Sequence, residues 1–95
     1  MGTGKVERSA MKIHITREIR RYNLRHVAEI IENPAKKMTY ERLAGLTMCS
    51  YNSGLNTKIN TLAQMNAGKR SHPDLQLVWI IATTLEISIT QLISD

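Results

Sequence analysis

The sequence predicts an all-α fold, a compact bundle of about five helices, and three observations carry that expectation. Apolar residues recur at three- and four-residue spacing in separate stretches, and each stretch is bounded by residues that start or stop helices. The core is aliphatic: of 95 residues 42% are hydrophobic, yet there are only three Tyr, one Trp and no Phe. Aliphatic bulk suits packed helices, and a chain of this length forms one small domain. That domain is expected over residues 12–95, with 1–11 as a disordered arm or an expression remnant ahead of it.

From Lys12 to Glu32 two patterns compete. Ile13 and Ile15 alternate as in a short strand, whereas Ile15, Ile19, Tyr22, Val27, Ile30 and Ile31 recur at helical spacing. Thr16 and Asn23 are both suitable N-caps, so either a long helix starts at Thr16 or a short N-terminal strand precedes a helix from Leu24. Asn33-Pro34 ends it, because the residue before a proline is pushed out of the α region. Arg17, Arg21 and Arg25 lie on one stripe, either toward phosphates or as a solvent face pairing with Glu29 and Glu32.

Thr39 is an N-cap for a second helix through Leu43, Ala44 and Leu46, which fades near Ser50-Tyr-Asn-Ser-Gly54, where Gly54 is a natural left-handed stop. Asn56 then caps a third helix that ends at Gly68. With Ile59 at the centre of its apolar side, Leu55, Leu62, Ala63 and Met65 gather round it, and Thr57, Asn60, Thr61 and Gln64 fall opposite. Asp74 caps a helix carrying Leu75, Val78, Ile81, Ala82 and Leu85, and Ser88 or Thr90 opens a last short one. The former is apolar nearly all round, so it is either central or covered by a partner.

The formal charge of +5 is unevenly placed: residues 1–40 hold nine Lys or Arg against four acids, and residues 41–95 hold four of each. The segment 55–72 has Lys58, Lys69 and Arg70 with no acid. A basic patch beside a stripe of uncharged amides and hydroxyls fits double-stranded DNA, since Asn and Gln pair with base edges while Lys and Arg meet phosphates. We therefore expect base readout by Thr57, Asn60, Thr61 and Gln64, with backbone contacts from Lys58, Lys69 and Arg70.

The order of these pieces resembles the lambda-repressor-like, or Cro-type, helix-turn-helix domain. Met38-Thr-Tyr-Glu-Arg-Leu-Ala44 matches its second helix, and Thr61-Leu-Ala-Gln-Met-Asn-Ala-Gly-Lys-Arg70 the end of its recognition helix. Pro73-Asp-Leu75, Ile81-Ala82, Leu85 and Ile87-Ser-Ile89-Thr-Gln-Leu-Ile93 match its tail. The resemblance implies a sequence-specific regulator, repressor-like, with the helix around residues 56–67 in the major groove and Tyr40 near the DNA backbone. The spacing from Thr39 to Gly68 exceeds the family pattern by about eight residues, so the helix-turn-helix is enlarged, by a longer second helix if Gly54-Leu-Asn56 is the turn. Asn66 replaces the usual acidic residue near the end of the recognition helix, and Glu86 stands where a turn glycine is common.

Such domains act as homodimers on two-fold sites, and the surplus apolar residues Leu77, Trp79, Ile80, Ile89, Leu92 and Ile93 are the expected interface. A second reading, from another class, is a protein-interaction module, an antitoxin-like partner or viral adaptor, on the same scaffold; stand-alone domains of this kind are frequent in phages and mobile elements. Enzymatic function is not expected: His14, His26 and His72 are isolated, Cys49 has no activating neighbour, and no pattern points to a metal or cofactor. The lone Cys and the absence of a long apolar run suggest a cytoplasmic protein without membrane contact.

Overall fold

A computed structural model describes residues 12–48, 54–69 and 74–94. They form helices α1 (Ile15–Arg25), α2 (Val27–Glu32), a 3-10 turn (Pro34–Lys36), α3 (Tyr40–Thr47), α4 (Leu55–Asn66), α5 (Leu75–Thr84) and α6 (Ile89–Ile93), with no strand among the described residues. The fold is all-α. The arm 1–11 and the residues Cys49, Arg70 and His72 lie outside the described residues.

Of the two alternatives for this stretch, the short strand is not formed among the described residues, because both isoleucines are used otherwise. Ile13 and Ile15 are fully buried, and the backbone before α1 is tied to distant helix ends: Ile13 N donates to Met65 O at 3.1 Å and His14 N to Leu92 O at 2.9 Å. Neither Thr16 nor Asn23 caps. The N-cap of α1 is His14, whose side chain makes no capping bond, while Asn23 donates to Met38 O and accepts from Met38 N. The first helical stretch also breaks at His26 (φ −112, ψ 22), so it is two helices rather than one. Its end is as expected: Asn33 is extended before Pro34.

Local capping chemistry sets several other boundaries. Thr39 accepts from Arg42 N, Asp74 from Gln76 N and Leu77 N, and Ser88 from Gln91 N. Gly68 adopts φ 72 just past α4, the left-handed conformation that glycine enters without strain. Gly54 does not: at φ −68, ψ 159 it is the extended N-cap of α4, and Asn56 lies inside that helix. Helix α3 ends at Thr47, so the expected lengthening of the second helix does not occur there.

The core is one aliphatic cluster, with Leu43 and Ala44 of α3, Leu62 and Met65 of α4, and Val78, Ile81 and Ala82 of α5 at its centre. From α1 it takes Ile15 and Ile19, and from α6 Leu92. Leu77 and Leu92, expected at a dimer interface, are buried inside this core. Val27 and Ile31, expected inside, are exposed, because α2 buries none of its residues. No helix among the described residues is long and apolar enough to cross a membrane.

Candidate nucleic-acid interface

Helix α4 lies against α3 and α1. Leu62 and Met65 anchor it, and Ile59 packs at the edge of the cluster. The buried side is thus centred one step from Ile59, toward Leu62, which turns the outward side as well. Asn56, Asn60, Ala63 and Ala67 recur at i, i+4, i+7 and i+11 and are all exposed, with Thr57 exposed beside them. Ala63, expected on the apolar side, belongs to this outward stripe. Thr61, Gln64 and Lys58 are half-buried at its margins.

The chemistry of the stripe is uncharged and slim. Two alanines leave the backbone accessible to a close surface, and Asn56 and Asn60 carry both donors and acceptors. Thr61 is constrained, since its hydroxyl donates to Thr57 O at 3.0 Å and has only acceptor capacity left. Residues 54–69 contain no acid, so nothing on this helix repels a polyanion. Asn56 was missed as a surface residue because an Asn before a periodic run reads as a cap; its four-residue spacing from Asn60 is the signal that places it on the stripe.

At the far end of α4 the chain exits through Gly68 to Lys69, which is exposed. Lys12 adds a cation that sequence spacing does not reveal: its Cβ is 3.5 Å from the position a Cβ on Gly68 would take. These cations also suit the negative end of the helix dipole. Arg70 lies outside the described residues.

Other cations are bound within the protein. Arg17 donates from Nε to Glu18 Oε2 at 2.8 Å and from Nη2 to Gln91 O at 2.6 Å; Arg21 donates to Glu18 Oε2 at 2.9 Å; Arg25 donates to Leu85 O at 2.7 Å. The arginine stripe thus ties α1 to the C-terminal part of the chain, and its carboxylate partner is Glu18 rather than Glu29 or Glu32. Tyr40 packs against the core and shares a hydroxyl hydrogen bond with Thr16. Burial pushes its phenol pKa up, against the smaller opposing effect of that bond.

His26 is similarly enclosed. Its Nδ1 lies 3.0 Å from Glu29 Oε1 and its Nε2 2.9 Å from Glu86 Oε1, while its ring centroid is 4.2 Å from that of Tyr22 with the planes tilted by 32°. Only the imidazolium donates from both nitrogens, so the bond to Glu29 and then that to Glu86 raise its pKa. Of the expected interface residues on α5 and α6, Trp79 is 56% exposed, whereas Ile80, Ile89 and Ile93 are half-buried. No family model, curated protein or solved structure matches the chain.

Proposed function

We propose that the protein is a sequence-specific double-stranded DNA-binding regulator, repressor-like, that reads the major groove with α4 and acts as a homodimer on a two-fold site. The observation that carries this reading is the outward face of α4. It is uncharged, amide-bearing and alanine-smoothed on a helix without acids, and Lys12 and Lys69 stand at its exit. An ordinary solvated helix face carries charges of both signs, whereas base edges call for amides and hydroxyls. Asn56, Thr57 and Asn60 are the primary readers, Gln64 and Thr61 flank them, and Lys58 and Lys69 meet phosphates.

Selection of binding sites from random duplex, followed by titration of variants, tests this. The enriched site is a two-fold repeat with half-sites about one helical turn apart. Asn60→Ala relaxes preference at one base position per half-site, while Lys69→Ala weakens binding to all sequences and lowers the salt slope by about 1 per protomer. No enrichment from the random pool, or equal losses on selected and random duplex for both variants, would overturn the reading.

A further inference from the structure

We propose that the outer face of α1 and α2 is a homodimer interface, on which two copies pair antiparallel about a two-fold axis between Leu24 and Val27. Arg20 and Leu24 stand one turn apart on α1, opposite the side on which Ile15, Glu18 and Ile19 are buried, and past the break at His26 the stripe continues on α2 with Val27, which lines one hollow with them, and Ile31 one turn on. Leu24 is 69%, Val27 52% and Ile31 75% exposed. Helix α2 is six residues long and buries none of them. A helix this short is unstable without tertiary packing, and its own protomer supplies little.

The same face is self-complementary. Beside the stripe lies an open hollow of about 390 Å³, lined by Arg20, Asn23, Leu24, Val27, Ile30 and Lys37. Its charged residues are both cations, while the protruding Ile31 and the acidic Glu32 stand at the opposite end of the stripe. Antiparallel pairing sets Leu24 of each copy against Val27 of the other, brings Ile31 to the hollow, and places Arg20 beside Glu32. Among the described residues neither Arg20 nor Glu32 has an ion-pair partner. A two-fold contact needs this reciprocity, with each patch carrying both halves of the match. On α5 and α6, by contrast, Leu77 and Leu92 serve the protein's own core, and the exposed large apolar side chains are Leu75 and Trp79 alone among the described residues.

This inference rests on the DNA reading only for the two-fold symmetry, and it is tested on the full chain without DNA. Sedimentation equilibrium of the unaltered protein gives a dimer at micromolar concentration. Ile31→Glu, an exposed substitution whose helical spectrum and melting of the monomer are checked alongside, weakens dimerisation more than tenfold. Arg20→Glu and Glu32→Arg each weaken it, and the chain carrying both recovers most of the loss, which a merely structural role would not produce. A monomeric unaltered protein, an Ile31→Glu chain that dimerises normally, or loss of the dimer on Trp79→Ala alone would overturn the proposal. So would a monomer that binds an acidic amphipathic peptide through Ile31, which would make the face a site for another protein. A monomer that still selects a DNA sequence would refute the interface and leave the DNA reading standing.

Discussion

Gln91 donates from Nε2 to Glu18 Oε1 at 3.0 Å, joining α6 to a carboxylate on α1 that is fully buried. The other oxygen of Glu18 accepts from Arg17 and Arg21, so a single buried acid gathers three donors and fastens the last helix to the first.

Removing that acid leaves its donors without their acceptor. Breaking a buried ion pair costs about 3–5 kcal/mol, but Arg17 and Arg21 reach solvent, so Glu18→Ala is expected to destabilise by about 2–3 kcal/mol. Glu18→Gln retains the shape and loses less, about 1 kcal/mol. Urea unfolding followed by circular dichroism measures both, and equal losses would show that the charge of Glu18 carries the whole effect and its shape none of it.

Asn66 Oδ1 accepts from Thr16 N at 2.9 Å, so the end of α4 caps the start of α1. Asn66→Ala is expected to lower stability by about 1 kcal/mol, the loss typical of a missing cap. Asn66→Asp places a negative charge at the positive end of α1 and raises stability by about 0.5 kcal/mol at low ionic strength, fading with salt. Thermal melts at two salt concentrations distinguish charge from geometry.

Stability depends on pH through His26. Its folded pKa is raised above the unfolded 6.5, so its contribution is complete below 6.5 and is lost as pH rises through the folded value. Glu29 is held below its usual 4.5 by His26, so its contribution is present above 4.5 and is lost as pH falls through the lowered value. The pair stabilises most between 4.5 and 6.5. Melting temperatures followed across that range should fall on either side of it, and His26→Gln should flatten the alkaline limb.

Glu86 occupies φ 63, a left-handed conformation that disfavours any side chain. Glu86→Gly relieves about 1 kcal/mol of strain but removes one of the two carboxylates facing His26. The substitution should therefore stabilise most above the folded pKa of His26, where the ring is neutral, and least at mildly acidic pH. Melts of Glu86→Gly and the parent at both pH values test the sign, and a pH-independent difference would argue that the bond to His26 is energetically silent.

Gly68 has the opposite constraint. At φ 72 an added methyl group meets Lys12 only at ordinary contact distance, so Gly68→Ala is penalised by backbone conformation and not by crowding, with a loss of about 1 kcal/mol. A much larger loss in urea unfolding would show that Lys12 cannot give way.

What the sequence by itself determined lies within a few residues of each signal. The caps Thr39, Asp74 and Ser88, the stop at Gly68 and the break before Pro34 are short-range hydrogen-bonding and steric effects, so they are legible without the fold. The polar character of α4 was legible for the same reason. Its orientation was not: the position of the buried side, toward Leu62 and Met65 and away from Ala63, depends on how α3 and α1 meet it. The fate of the arginines, the enclosure of His26 and the bare face of α2 were likewise decided by tertiary structure. Their deciding contacts, Glu18 with Gln91, Arg25 with Leu85 and His26 with Glu86, join residues 60 or more positions apart, and no local periodicity encodes which distant groups will meet.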